Sequence, residues 1–181
     1  MGYKAVGAPE GEVGRLKSVA ARYGIEVIPR VHVVADTARD LARIRGRGLV
    51  VVEPTSLEAA RKAAIMRSVR VIRVRPGMQR IVDRSTARLL RSRGGGAIEL
   101  SLASLSRGGV GSWRWFTVSL RRAFAYGIDV VLVSDSETRW DVWHPRHIEG
   151  LASLAGIPHE LGLSWISNTP RSLLMEVGGS G

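Results

Sequence analysis

Short apolar segments rich in valine, isoleucine and leucine alternate with amphipathic segments along almost the whole chain. Most of the amphipathic segments end at glycine, which commonly closes a helix. Strands that are apolar throughout must be covered on both faces, so the pattern predicts parallel strands joined by helical crossovers. We therefore expect an α/β fold, either a TIM-type barrel or a doubly wound sheet.

Prolines, glycines and helix-capping residues set the limits of these segments. The predicted strands are Tyr3–Gly7, Glu26–Val34, Leu49–Val52, Val69–Val74, Ala97–Leu102, Asp129–Val133 and Leu161–Ile166. Five helices are predicted over Glu10–Arg22, Met78–Arg91, Trp113–Tyr126, Pro145–Ala155 and Pro170–Val177. Two more are predicted from their caps. One is capped by Asp36 or Thr37 and ends at Arg45, and the other is capped by Ser56 and runs through Met66. We expect Arg107–Ser112 to form a flexible loop.

The length of 181 residues suits one domain. A full eightfold barrel has about 250 residues, so a barrel of this length would be a short one. We expect a single domain over residues 1–177 and a disordered tail over residues 178–181. The N-terminus has no signal-peptide pattern and no apolar run is long enough for a transmembrane helix, which predicts a cytoplasmic protein.

The charge points to a polyanionic partner. The chain has 27 Lys and Arg against 16 Asp and Glu, a net charge of +11, and nearly all the cations are arginine. Arginine presents a planar fork that suits phosphate and stacks on bases. Release of counterions from phosphates then drives association with RNA. The alternative is that the arginines reflect only a GC-rich genome or a heat-adapted host.

Almost the whole excess charge lies in residues 61–93, where eleven cations accompany one acid, Asp83. On a continuous helix Arg80, Arg84, Arg88 and Arg91 would lie within roughly 80° of one another. A stripe of arginines without acids repels itself, which favours an RNA contact over a merely solvated helix face. Arg73 and Arg75 end the preceding strand and are further candidates for RNA contact.

Residues suited to catalysis or metal binding are sparse. The four histidines show no metal-binding spacing, and the pair His144 and His147 has a single nearby acid, Asp141. Without cysteine, no thiolate zinc site can form. Ser134-Asp135-Ser136 follows a strand end but has no obvious base beside it. We expect no catalytic residue and no metal or other cofactor bound by the chain itself.

The segment Val131–Leu151, VLVSDSETRWDVWHPRHIEGL, resembles the signature of the archaeal ribonuclease P protein component 3 family, which has a counterpart in eukaryotic ribonuclease P and MRP. Its matching positions are Ser134, Trp140, Asp141, Val142, Pro145 and Arg146. The segments AIELSLASL and SWISNTPRSLL are similar to other strands and helices of the family. Trp143 and His147 depart from the family, which usually has Arg and Asp there.

The resemblance implies a TIM-like (β/α) barrel that is incomplete, because the family's first β/α unit is absent here. It relates the fold to metal-dependent phosphoesterases without their metal ligands. It also implies a protein subunit of ribonuclease P that supports removal of the 5′ leader from precursor tRNA. The implied partners are ribonuclease P RNA, precursor tRNA, the component 2 subunit and other protein subunits, with Mg²⁺ held by the catalytic RNA.

The motif residues also have structural interpretations. Trp140 would seal the end of the barrel, and Asp141 would cap the helix that starts near Pro145. Further candidates for RNA contact are Arg107, Arg114, Arg139 and Arg146. Two alternative functions stay open from the residues: a metal-dependent barrel phosphoesterase, and an RNA-binding scaffold of another ribonucleoprotein.

Overall fold

The computed structural model describes residues 6–8, 27–42, 44, 48–135 and 143–178. Six parallel strands form one sheet in which the spatial order follows the chain order. They are β1 (Val6–Ala8), β2 (Val27–Ala35), β3 (Leu49–Pro54), β4 (Val71–Arg73), β5 (Ala97–Ser101) and β6 (Asp129–Val133). The expected α/β class and the parallel pairing are confirmed.

Helices connect these strands and follow the last one. They are α1 (Ala38–Leu41), α2 (Leu57–Ile65), α3 (Arg84–Ser92), α4 (Leu102–Arg107), α5 (Gly109–Tyr126), α6 (Pro145–Leu154), α7 (His159–Ser164) and α8 (Asn168–Gly178), with a 3₁₀ helix at Gln79–Ile81. None of the helices in the described ranges combines the length and apolar character that crossing a membrane requires.

The two faces of the sheet bury different side chains. Val52, Ile72 and Leu100 point to one face, where they join the main core beneath the connecting helices. Val51 and Val71 point to the opposite face, where Leu173 of α8 packs against them. Because neighbours along a strand alternate between faces, every second strand residue belongs to this second face.

Several predicted helix ends are confirmed. The Ser56 hydroxyl accepts a hydrogen bond from the Ala59 N–H at 3.1 Å and caps α2. Gly127 ends α5 in the left-handed region, at φ 62°, where a residue with a β-carbon is strained.

The predicted continuous helix over Met78–Arg91 is wrong. Gln79–Ile81 forms a 3₁₀ turn, and α3 starts anew after Asp83. The Asp83 carboxylate accepts a hydrogen bond from the Thr86 N–H at 2.8 Å, so it caps the new helix. The break removes Arg80 from the helix that carries the other arginines.

Two further predictions need correction. The segment Arg107–Ser112 is not a flexible loop: it comprises the end of α4, the capping residue Gly108 and the first turn of α5. The segment Leu161–Ile166 is mostly α7 and not a seventh strand. The Trp165 carbonyl at the end of α7 accepts a hydrogen bond from the Leu132 N–H of β6 at 3.1 Å, which occupies a backbone donor of that strand.

Some predictions fall outside the described residues. These are the helix Glu10–Arg22 and the last three residues of the expected tail, whereas Gly178 ends α8. The helix predicted to reach Arg45 is described as the short α1.

Candidate functional site

Charged side chains from four strands meet on the face of the sheet opposite the main core, near the carboxyl ends of the strands. Arg30 comes from β2, Glu53 from β3, Arg73 from β4 and Glu99 from β5, and Asp135 follows β6. With His32 of β2, these residues form what we call the ion-pair cluster. Strand alternation places them all on this face, above the apolar layer that contains Val51 and Val71.

Two arginines hold the three carboxylates of the cluster. Arg30 Nη1 lies 2.6 Å from Glu99 Oε2, and Arg30 Nη2 lies 3.2 Å from Asp135 Oδ1. Arg73 Nη1 lies 3.1 Å from Glu99 Oε1 and Arg73 Nε lies 3.3 Å from Glu53 Oε2. Arg73 also contacts the Asp135 carboxylate. The network ties β2, β3, β4 and β5 to the residue that follows β6.

The cluster is largely shielded from water. The side chain of Glu99 is 3% exposed, and those of Arg30 and Arg73 are 12% and 14% exposed. Removing charges from water costs several kcal/mol for each ion, so such groups persist only when they are paired and hydrogen-bonded. The two guanidinium groups satisfy that condition for Glu99.

The surroundings shift the pKa values of the cluster in different directions. Burial raises the pKa of Glu99, and the charges of Arg30 and Arg73 oppose that effect only in part. Burial would also raise the pKa of Asp135, but the charge and hydrogen bond of Arg73 outweigh it and lower this pKa. For Glu53, the hydrogen bond from His32 is the largest influence and lowers the pKa.

Arg73 is held in its charged form by the same contacts. Burial would lower its pKa, but the charges of Glu99, Asp135 and Glu53 raise it instead. Three carboxylates thus engage this guanidinium inside the protein. Arg73, a candidate for RNA contact from its position in the sequence, has a structural role in the cluster, and an RNA contact by it stays a prediction.

The cluster is poorly suited to hold a metal ion. Within the described ranges, no three His, Asp or Glu side chains are grouped so as to coordinate a cation. Arg30 and Arg73 already provide the positive charge that the carboxylates need, and a metal ion beside them would be repelled. The arrangement can stabilise the fold and position neighbouring groups, but it offers no evident nucleophile with an adjacent base.

The structure retains part of the predicted arginine stripe on α3. Arg84 and Arg88 are exposed on α3, and with Arg91 they lie within about 60° around the helix axis. Arg91 Nη1 donates to the Tyr126 carbonyl at 2.9 Å, so this guanidinium also links α3 to α5. Arg80 is exposed on the preceding 3₁₀ helix.

Other arginines of residues 61–93 have internal partners. Arg61 forms a two-pronged ion pair with the Asp83 carboxylate, with Nη1–Oδ1 and Nη2–Oδ2 distances of 2.8 and 2.5 Å. Arg93, the residue that follows α3, is buried, and its Nη1 donates to the Ala63 carbonyl of α2 at 3.0 Å. The charge of this segment therefore divides between structural arginines and an exposed set.

The remaining candidates for RNA contact are spread over three parts of the chain. Exposed positions are Arg75, two residues after β4, then Arg107 and Arg114, and Arg146 on α6. Beside Arg146, the rings of Trp143 and His147 meet edge to face with their centroids 6.2 Å apart. Whether these arginines contact RNA stays a prediction.

The motif residues divide between described and undescribed positions. Arg139, Trp140 and Asp141 lie outside the described residues. Ser134 follows β6, and its carbonyl accepts a hydrogen bond from the Ala103 N–H at 3.1 Å. Pro145 starts α6, as predicted, and His144 caps this helix, with its Nδ1 accepting a hydrogen bond from the Arg146 N–H at 3.3 Å. The cap predicted at Asp141 falls on an undescribed residue.

Sequence reasoning missed most of the cluster. Arg30, His32, Glu53 and Glu99 were not among the predicted site residues, although each is a charged or polar residue within an otherwise apolar strand. Arg30 and His32 alternate with valines, and Glu99 interrupts Ala97–Ser101. A polar residue that interrupts an apolar strand marks one face of that strand, and this is the signal that could have pointed to the cluster.

Comparison with known proteins identifies the family. A model of the RNase P subunit p30 family matches residues 4–178, nearly the whole chain. The chain belongs to the RNase P subunit p30 family. The family resemblance carried by the segment Val131–Leu151 is confirmed.

Two individual proteins agree with this assignment to the p30 family. Ribonuclease P protein component 3 of Aeropyrum pernix is 35% identical over 183 residues, which covers 97% of this chain and 87% of the relative. A chain in the cryo-EM structure of archaeal Ribonuclease P with mature tRNA superposes with a TM-score of 0.76 at 16% identity. That match covers 97% of this chain and 83% of the other, and it shows a shared fold.

Proposed function

We propose that this p30 family member acts as a protein subunit of ribonuclease P that binds the catalytic RNA and supports removal of the 5′ leader from precursor tRNA. The observation that carries this proposal is the family match over residues 4–178, together with 35% identity to a ribonuclease P component over almost the full chain. The net charge of +11 agrees with a partner made of RNA.

The RNA-binding surface that we propose is centred on α3. Arg84 and Arg88 project from one side of this helix, and Arg80 and Arg75 are exposed just before it. Their guanidinium groups would contact phosphates and fix the orientation of the protein on the RNA without reading its sequence. Arg91 would contribute from the same side of α3, and Arg107, Arg114, Arg139 and Arg146 are further candidates.

The chemistry would belong to the RNA. We propose that the chain contributes no catalytic residue and binds no cofactor itself, and that Mg²⁺ on the catalytic RNA activates the attacking water. The buried pairing of the ion-pair cluster supports this view, because Glu53, Glu99 and Asp135 are engaged by arginines rather than presented to a substrate.

We further propose that the assembly includes the precursor tRNA, the component 2 subunit and other protein subunits, and that it acts in the cytoplasm. The structural neighbour supports the assembly, since it comes from an archaeal ribonuclease P complex with tRNA.

We also propose that the sheet belongs to an incomplete TIM-like barrel. Six parallel strands in chain order, with the connecting helices on one face, are typical of a barrel rather than of a doubly wound sheet. The hydrogen bond from Leu132 N–H to the Trp165 carbonyl would let α7 cover the β6 edge in place of a further strand.

A binding assay tests the RNA partner. The purified chain is titrated with ribonuclease P RNA and with an unrelated RNA of the same length, each over a range of salt concentrations. We expect tighter binding of ribonuclease P RNA at every salt concentration. Equal binding of the two RNAs would favour a general RNA-binding scaffold instead.

A further inference from the structure

Three aromatic rings meet on the surface of the protein at the start of α6. The ring centroids of Trp143 and His147 lie 6.2 Å apart and those of His144 and His147 lie 5.9 Å apart, with both pairs edge to face. His144 and His147 are exposed, and Trp143 is half-buried. We call these three residues the aromatic cluster. Rings that gather on a surface rather than in the core commonly mark a site of interaction.

The local structure holds two of these rings in place. Trp143 packs against the main core. His144 caps α6, since its Nδ1 accepts a hydrogen bond from the Arg146 N–H at 3.3 Å. His147 lies in the first turn of α6, three residues after His144, where side chains on a helix are neighbours. The sequence therefore preorganises the cluster, and a structural role alone does not account for the exposed ring of His147.

A cation and a hydrogen-bond donor accompany the rings. Arg146 is exposed between the two histidines, and the first turn of α6 contains no acid. Glu149, the nearest acid along α6, is only partly exposed. Because His144 Nδ1 accepts a hydrogen bond, the proton of this ring is on Nε2, which can donate to a ligand oxygen. Aromatic faces beside a guanidinium suit a nucleotide, which has a planar base and a negatively charged phosphate.

The cluster lies toward the carboxyl ends of the strands. Arg121 Nε donates to the Ala155 carbonyl at 2.7 Å, so the end of α6 lies beside the second half of α5. The chain passes from the end of α5 into the amino end of β6, which places the end of α6 near the amino ends of the strands. The start of α6 is therefore on the opposite side, where the chain also enters α3 through Arg75, Arg80 and Arg84. The rings and these exposed arginines share one side of the sheet.

We infer that the aromatic cluster binds an unpaired base of an RNA strand. The base would stack on the rings of Trp143 and His147, while Arg146 and His144 Nε2 contact oxygens of the adjacent phosphate. Stacking requires a base whose face is open, so the site would take single-stranded RNA and not a duplex. The inference deepens the proposed function, since it rests on RNA as the partner and adds the kind of RNA that these rings bind.

Two short RNAs separate stacking from attraction to a basic protein. One is a single strand of adenylates, and the other has the same length and phosphates but abasic sugars in place of several nucleotides. Fluorescence anisotropy measures the binding of each RNA to the full chain. We expect the unaltered chain to bind the adenylate strand about tenfold more tightly, since stacking of a base on an aromatic ring has an effect of this size. Attraction to phosphate alone would give equal affinities.

Substitution of the rings should remove this preference. His147→Ala removes an exposed ring, and Trp143→Leu removes the larger one. Both variants should bind the adenylate strand about tenfold more weakly and the abasic strand as the unaltered chain does. Trp143→Phe keeps an aromatic face and should retain most of the affinity. The matched control is His159→Ala, which removes an exposed histidine from α7 and should leave both affinities unchanged.

The salt dependence of binding distinguishes the rings from the neighbouring cation. The ring variants should keep the slope of log affinity against log salt concentration, because they retain the same phosphate contacts. Arg146→Ala should reduce this slope by about 0.7, the contribution of one phosphate contact on a single strand. A reduced slope in His147→Ala would show that His147 acts by charge and would count against stacking.

Equal or undetectable binding of the two RNAs by the unaltered chain would overturn the inference, as would an undiminished preference in His147→Ala. Either result would favour a protein partner for the rings. His147→Ala decides the matter if Trp143→Leu lowers the thermal midpoint, since Trp143 packs against the core. These assays do not use ribonuclease P RNA, so their failure leaves the proposed function standing. The comparison of ribonuclease P RNA with an unrelated RNA tests that function separately.

Discussion

Arg73 and Glu99 are register partners on the adjacent strands β4 and β5, and their side chains meet with Nη1 and Oε1 3.1 Å apart. Glu99 receives Arg30 of β2 on its other oxygen at a distance of 2.6 Å. One carboxylate that is almost fully buried thereby joins two arginines from separate strands. On this face of the sheet the charged side chains of the ion-pair cluster are therefore paired with one another.

Loss of Arg73 should destabilise the fold. Arg73→Met keeps much of the apolar stem but leaves Glu53, Glu99 and Asp135 with fewer cations, so we expect a loss of about 3–5 kcal/mol in the free energy of unfolding. Urea denaturation measures this free energy. Arg75→Met is the matched control, because Arg75 is exposed two residues further on and should change stability by less than about 0.5 kcal/mol. Equal effects of the two substitutions would contradict the structural role of Arg73.

The pair formed by Asp83 and Arg61 should make stability depend on pH in the acid range. The hydrogen bond from Arg61, against an opposing effect of burial, lowers the pKa of Asp83 from 3.8 to about 2. A lowered pKa in the folded state means that the stabilisation is complete above pH 3.8 and disappears as the pH falls toward about 2. Asp83→Asn retains a capping side chain but has no charge to titrate.

Unfolding free energies of the unaltered chain and Asp83→Asn, measured across this pH range, check the prediction. We expect the difference between them to shrink steadily as the pH falls. A difference between Asp83→Asn and the unaltered chain that stays constant across this range would mean that the ion pair contributes nothing to stability.

Removing two arginines of α3 should weaken the attachment to RNA. The double substitution Arg84→Ala and Arg88→Ala should lower the affinity for ribonuclease P RNA. It should also reduce the slope of log affinity against log salt concentration by about 2, because each phosphate contact contributes close to one unit to that slope. The control is Arg39→Ala with Arg171→Ala, which removes the same charge from exposed positions on α1 and α8. An equal change of slope in both proteins would show that net charge, and not the α3 surface, governs binding.

The chain should not bind a transition metal stoichiometrically. Arg30 and Arg73 form ion pairs with the carboxylates of the cluster, so a divalent cation would have to displace these guanidinium groups. Equilibrium dialysis against Mn²⁺ and Zn²⁺, followed by elemental analysis, should find well under one ion per chain. One tightly held ion per chain would revive the metal-dependent phosphoesterase interpretation.

Local signals in the sequence were sufficient for most of the fold. Ser56 and Gly127 mark helix ends because a hydroxyl cap and a left-handed residue are local requirements. The run Leu161–Ile166 misled because a short, mostly apolar segment suits a buried helix as well as a strand. Asp83 also misled, because an acid within a predicted helix can equally precede a run of helix formers and cap a new helix.

The site was harder to predict than the fold because its contacts are between strands. Glu99 has its partners 26 and 69 positions away along the chain, at Arg73 and Arg30. Alternation within one strand indicates which of its residues share a face, but the meeting of side chains from three strands is known only from the register of the sheet. The exposed arginines of α3 were predictable, since a charged helix face depends only on spacing within one segment.

Reconstitution of ribonuclease P tests the central claim most directly. The cognate RNA and the other protein subunits are combined with and without this chain, and 5′ cleavage of precursor tRNA is measured at fixed Mg²⁺. We predict a large gain in cleavage when the chain is added and no cleavage by the chain alone. Cleavage that is unchanged by the chain, or cleavage by the chain without RNA, would contradict its role as an accessory subunit of an RNA enzyme.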